Sequence, residues 1–241
     1  MRRRLLTSIA VLLTFGFIAA PEASAQQSIN IFLGGFVPRS LDARAADDVI
    51  YQDSLFLSTL RSRRGIDISE FNQVTIGGEW LVGMGPFEAG LGLGFYQRTV
   101  PTVYTEFVNS NGSEIEQDLK LRIVPFTATV RLLPFGRRAP IQPYVGGGVG
   151  IYMWRYSETG EWMDAQKDIF VGNYVGKGSE TGPVVLAGLR LPVGYGRSGN
   201  TVGFEARWQD ATAALPANQN FAGSKIDLGG MSYLLTVNVR F

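Results

Sequence analysis

The 241-residue chain contains no cysteine and no histidine. Disulfide staples, Cys or His metal ligation and Ser-His-acid or Cys-His catalysis are therefore unavailable to it. Charge of one sign is also missing: 22 basic residues face 21 acidic ones. That balance excludes a basic nucleic-acid-binding protein. Long apolar runs are scarce as well. The one present, Leu5 to Ala20, is interrupted by Thr7, Ser8, Thr14 and Gly16. It is short for a spanning helix, which needs about 20 apolar residues. Arg2, Arg3 and Arg4 precede it, and Pro21 and the small-residue site Ala23-Ser24-Ala25 follow. This order is that of a secretory signal peptide cut before Gln26, and no Cys follows to carry a lipid anchor. Residues 1–25 are thus expected to be a signal peptide and 26–241 a single β-domain. The segment holds three Arg and Glu22, so its removal takes the net charge from +1 to about −1. If the remaining chain spans a membrane, a closed barrel is the one solution that satisfies its backbone in lipid.

What is present after residue 25 is alternation with period two. Val145, Gly147, Val149, Ile151 and Met153 alternate with Tyr144, Gly146, Gly148, Gly150, Tyr152 and Trp154. Phe87, Leu91, Leu93 and Phe95 alternate with Glu88, Gly90, Gly92, Gly94 and Tyr96, and similar patterns run through 74–82, 202–209 and 231–241. Connections alternate in length: 83–86, 134–140 and 194–200 are short, whereas 40–73, 100–117, 156–181 and 210–226 are long. The expected fold is all-β, an eight-stranded antiparallel up-and-down transmembrane β-barrel with both termini periplasmic. Two short strands in the first long connection would make it ten-stranded. A weak pattern over Ala46 to Leu60 suggests a short amphipathic helix capping the barrel.

Alternation alone does not separate a membrane barrel from a soluble one. Glu79, Glu88, Arg98, Glu205, Arg207 and Arg240 lie opposite the apolar face. They fit a lumen if that face meets lipid, and a solvated surface if it does not. One strand changes phase: Leu119, Leu121 and Ile123 are apolar at odd positions, and Phe126, Ala128, Val130 and Leu132 at even ones. A β-bulge near Val124-Pro125 would repair the register, since Pro cannot donate there. The outer parts of the third and fourth strands are expected to form a hairpin with its tip at Asn109 to Gly112.

The string Pro143-Tyr144-Val145-Gly146-Gly147-Gly148-Val149-Gly150, rising from a basic turn, resembles the fifth strand of small outer-membrane barrels of the OmpA/OmpW/OmpX type. The ending Tyr233 to Phe241 resembles the C-terminal signal of outer-membrane proteins. The resemblance implies location in the bacterial outer membrane. It also implies contact with outer-membrane lipid and lipopolysaccharide, and handling by periplasmic chaperones and the barrel-assembly machinery. On that reading Tyr233, Val237, Val239 and Phe241 form the assembly signal.

An eight-stranded barrel is just wide enough for side chains to fill. Inward charges should then pair, because isolated buried charges are costly. Glu205 is expected to bridge Arg190 and Arg240, and Glu79 and Glu88 to face Arg131. Gly90, Gly92, Gly94, Gly146, Gly148 and Gly150 should make room for Lys120, Arg122 and Arg131 on the strand between them. Asp42, Asp47, Asp48 and Asp53, with Glu158, Glu161 and Asp164, are acidic enough to suggest a Ca²⁺ site, but their spacing matches no calcium loop. No catalytic residue, cofactor or metal site is expected. The leading function is a monomeric structural or surface-interaction barrel acting through long outer loops. A narrow OmpW-like passage for small apolar molecules, lined by residues such as Phe32, Phe36, Tyr96 and Trp154, and a soluble exported β-barrel binding protein are the alternatives.

Overall fold

The computed structural model describes residues 26–59, 65–164, 166–193 and 199–241. The proposed signal peptide and most of the turn 194–200 lie outside them. Eight strands form a ring: β1 (Gln26–Pro38), β2 (Gln73–Met84), β3 (Phe87–Val108), β4 (Glu114–Leu132), β5 (Gln142–Met163), β6 (Ile169–Pro192), β7 (Thr201–Gln209) and β8 (Gly230–Arg240). Each pairs antiparallel with its sequence neighbours, and β1 pairs with β8 to close the ring. Closure runs from Ser28↔Arg240 to Pro38↔Gly230, and the Phe241 amide donates to the Gln27 carbonyl beyond it. The ring is eight-stranded, not ten. Among the described residues of the first long connection, the three-residue strand Leu57–Thr59 is the one that pairs with the barrel, against Thr102 to Tyr104 of β3.

Turn chemistry fixes the short end. Gly85-Pro86 joins β2 to β3, and Gly85 has φ 61°, the left-handed first position that such a two-residue hairpin assigns to glycine. At the other end the β3–β4 tip lies at Asn109 to Gly112, where the Gly112 amide donates to the Asn109 carbonyl.

Three of the long connections are less irregular than their composition suggested. The segment 156–181, expected as a loop, is mostly strand. β5 and β6 stay paired out to Met163↔Ile169, and Asp164 and Lys167 turn the chain. In the first connection Val49–Asp53 forms a short helix, α1, shorter than the capping helix expected over 46–60. Asp48 caps it by accepting from the Tyr51 amide. Residues 212–214 and 225–227 form a small hairpin beside it.

The phase change in β4 is real, but no bulge produces it. Pairing with β3 keeps one register from Phe87↔Leu132 to Val103↔Glu116, and the irregularity falls between Val103 and Val108. Odd positions of β4 face inward throughout: Leu119, Leu121 and Ile123 are buried, as are Thr127, Thr129 and Arg131. The environments change instead. In the lower half of the barrel the outside is apolar and the inside polar. In the upper half the inside is apolar and the outside polar. The same inversion occurs on β3, where exposed Leu91, Leu93 and Phe95 give way to buried Tyr96 and Val100. On β5 exposed Val149, Ile151 and Met153 give way to buried Trp154 and Tyr156.

A charge-sealed lumen beneath an apolar cap

The lower lumen holds two sets of paired charges. Glu79 of β2, Arg131 of β4, and Glu205 and Arg207 of β7 form a closed ring of ion pairs. Arg131 Nη2 donates to Glu79 Oε2 at 2.6 Å and to Glu205 Oε2 at 3.0 Å. Arg207 Nη2 donates to Glu79 Oε1 at 3.0 Å and Glu205 Oε1 at 2.6 Å. Asn30 and the Tyr144 hydroxyl add a donor to each carboxylate. Nearer the short turns, Glu88 accepts from Arg190 at 2.7 Å and from Arg137 at 3.0 Å. The two groups are joined across one aromatic face. Arg190 and Arg131 lie 4.5 and 5.5 Å from the Tyr144 ring centroid, within cation–π range.

All six expected lumen charges face inward, but their pairing is redistributed. Glu79 meets Arg131. Glu88 pairs with Arg190 and Arg137, although Arg131 is its Cα partner across the sheet. Glu205 bridges Arg131 and Arg207 rather than Arg190 and Arg240. Arg240 instead donates to the Arg137 carbonyl and to Gln142 Oε1, both at 2.8 Å. Long guanidinium stems reach across the lumen, so, Arg207 and Glu205 on one strand apart, neighbours along the sheet are not the partners. Arg207 was legible as a ring member, two residues from Glu205 on the same face. Arg137 comes from a turn, where periodicity places nothing.

Lys120 and Arg122 are not lumen residues. They occupy outward, exposed positions of β4, and only Arg131 uses the interior. Five of the six glycines face neighbouring strands closely, and Gly150 faces the Tyr152 ring of its own strand. A Cβ on Gly92 would meet Glu79 Cγ at 2.7 Å and Thr127 Oγ1 at 2.8 Å. At Gly148 it would lie 1.9 Å from the Ala128 carbonyl oxygen, so this position is set by backbone approach, not by an open lumen.

Above the ionic ring a cavity of about 20 Å³, lined by Phe32, Phe36, Tyr96, Ile123 and Arg207, has room for about one water. Higher still, the barrel is packed with apolar side chains from the strands and from the first and last upper connections. Val49 and Ile50 of α1, Leu57, Phe71, Leu119, Tyr156, Ala213 and Ile226 share one buried cluster. Asp48 ties the connections together. It pairs with Arg44 at 3.0 Å and accepts from the Asp227 amide at 2.6 Å. Arg39 pairs with both Asp210 and Asp227.

Inside this cap two carboxyl groups are buried side by side. Asp53 is 0% and Glu158 2% exposed, and the Tyr156 hydroxyl donates to Asp53 Oδ2 at 3.0 Å. Burial pushes Asp53 up to about 7. Burial, with Asp53 beside it, pushes Glu158 up to about 9. At neutral pH the pair therefore holds at least one proton. The other acidic residues are dispersed: Asp47 pairs with Lys225, Glu161 accepts from Asn109, and Asp164 accepts the Gln166 and Asp168 amides. Among the described residues no group of three acidic side chains is placed to hold a metal ion.

No family model matches the chain, and no curated protein matches it. Several solved structures resemble it weakly, three of them as follows. Neisserial surface protein A is 10% identical, with a TM-score of 0.45 over 90% of this chain and 98% of that one. The N-terminal β-barrel domain of Pseudomonas aeruginosa OprF is 12% identical, with a TM-score of 0.40 over 90% and 100%. Ail, the attachment invasion locus protein of Yersinia pestis, in complex with the heparin analogue sucrose octasulfate, is 12% identical, with a TM-score of 0.39 over 90% and 99%.

Proposed function

We propose that the chain is an integral barrel of the bacterial outer membrane, monomeric and non-enzymatic, whose upper half projects from the bilayer as a surface for interaction. The inversion of polarity at one level of the wall carries this reading. A soluble barrel has no reason to expose Ile31, Leu33, Leu93, Val130, Val149 and Leu235 in a band while burying Glu79, Glu88, Arg131, Arg190 and Glu205. In lipid that arrangement is the favourable one. On β4 the band covers Val124 to Leu132, close to the 9–11 residues that a tilted strand needs to cross a bilayer. Among the described residues no helix is long and apolar enough to cross a membrane, so any crossing falls to the strands.

In this reading the short turns and both ends of the barrel face the periplasm, and the cap faces outward. Tyr233, Val237, Val239 and Phe241 are exposed along the lipid-facing side of β8. There they would serve as the signal read by the barrel-assembly machinery after export and delivery by chaperones. The ionic ring and the apolar cap make a passage for small apolar molecules the weaker alternative.

Three measurements test the assignment. The folded protein is expected to migrate differently from the boiled one on a detergent gel, and to show no reproducible conductance in a planar bilayer. A steady open state would move the reading to transport. Leu91→Arg, in the middle of the band, is expected to lower stability by about 2–4 kcal/mol in lipid vesicles. An effect within about 0.5 kcal/mol, ordinary for a solvated surface, would return the chain to the soluble class.

A further inference from the structure

The outer wall carries a row of basic side chains that no neighbouring carboxylate neutralises. Arg122 of β4 and Arg155 of β5 are Cα partners, and Arg155 is in turn the partner of Lys177 on β6. Lys120 is the next outward residue above Arg122. All four are exposed, and none joins an ion pair among the described residues. The nearest outward carboxylate on β4 is Asp118, one step beyond Lys120. Like charges placed directly opposite in a sheet destabilise it, yet three stand in one row here. The level is specific. Immediately below, the partners Val124 and Met153 begin the apolar band; immediately above, Ser157 and Thr159 begin the polar wall.

We propose that Arg122, Arg155 and Lys177, assisted by Lys120, form a site for the phosphate groups of an anionic lipid in the leaflet beside the cap. This rests on the membrane reading above. Guanidinium groups bind phosphate through two parallel N–H donors, and lipid at this depth presents its headgroup to the row while its chains lie against Val124, Met153 and the residues below. Occupancy would offset the repulsion within the row.

The test uses the full chain folded into phosphatidylcholine nanodiscs containing a minority of diphosphorylated lipid A. Native mass spectrometry reads the lipid retained. Wild type is expected to retain lipid A at least about tenfold better than the Arg122→Gln/Arg155→Gln/Lys177→Gln variant, since each basic residue near an anionic surface contributes separately. Arg138→Gln, an exposed change at the opposite end, should match wild type. Should the triple variant fail to insert, Arg155→Gln alone is read at the centre of the row. Heat-modifiable migration is scored first: failure of wild type to insert defeats the membrane reading itself. Insertion with equal retention by wild type and variant overturns only the lipid site. Equal retention of dephosphorylated lipid A by wild type would show that phosphate is not what is recognised. Complete displacement by inorganic phosphate would assign the row to a free anion instead, and also overturn it.

Discussion

Replacing Arg131 with Met is expected to lower the unfolding free energy by about 3–5 kcal/mol, the cost of leaving a buried charge without its partner. Arg131 is fully buried, and its Nη2 is shared by Glu79 and Glu205, both at 0% side-chain exposure. Arg207 touches the same two carboxylates, but one guanidinium would then face two negative charges. The loss is therefore not of one hydrogen bond, worth about 1 kcal/mol, but of the neutralisation of the ring. A second substitution in the ring provides the control. Arg131→Met combined with Glu205→Gln leaves one carboxylate, Glu79, opposite the one remaining guanidinium, Arg207, with an amide in place of the second acid. That double variant is expected to recover most of the loss. Denaturant unfolding in lipid vesicles, followed by tryptophan fluorescence, measures both. If the double variant is less stable than the single one, the ring is not organised by charge pairing.

The ring and the cap differ in how far the sequence discloses them. Which residues face the lumen follows from period two, and Glu79, Glu88, Arg131, Arg190, Glu205 and Arg240 all sit on the inward phase. Who bonds to whom does not follow. Partners are chosen across the lumen by the reach of arginine and by the stagger of the strands, which period two does not encode. The cap was harder for a different reason. Leu119, Leu121 and Ile123 look out of phase with Phe126 to Leu132 only if the apolar face is assumed to keep one side along the whole strand. Pro125, standing at the junction, makes a bulge plausible. An alternation whose polarity reverses without a change of register is instead what the proposed membrane reading expects of a strand that passes from lipid to water. The same rule would have recovered the 156–181 hairpin. Tyr156, Glu158, Gly160 and Trp162 hold the inward phase of β5, but their outward neighbours are no longer apolar, so the segment resembles a loop. The apolar contacts of α1 with the hairpin 212–214/225–227 are long-range and carry no periodic signal at all.

The buried carboxyl pair makes the cap sensitive to alkali, and Glu158→Gln is expected to remove most of that sensitivity. In the unfolded chain both groups ionise near 4, whereas burial raises Asp53 to about 7 and Glu158 to about 9. The folded cap then binds more protons than the unfolded one across that interval. Its stability is full at low pH and declines as pH climbs toward the folded values, by up to about 1.4 kcal/mol per pH unit for each proton retained. Among the described residues no cation pairs with either group: Arg44 faces Asp48, and Lys225 faces Asp47. The neighbouring groups around the pair include Asp48, whose charge adds to the upward push on Asp53, and Tyr156, Tyr104 and Tyr174, whose own ionisation burial also pushes upward. Near-ultraviolet circular dichroism should follow the change directly, because Trp154, Trp162 and Tyr156 pack in the same core. Wild type is expected to lose aromatic ellipticity between about pH 7 and 10 while its strand signal persists, since the ionic ring below is untouched. In Glu158→Gln a neutral amide takes the place of the second acid, so the loss above pH 7 should be largely abolished. Asp53→Asn should act in the same direction. Identical profiles for wild type and both variants would mean that the pair is not what holds α1 against the barrel.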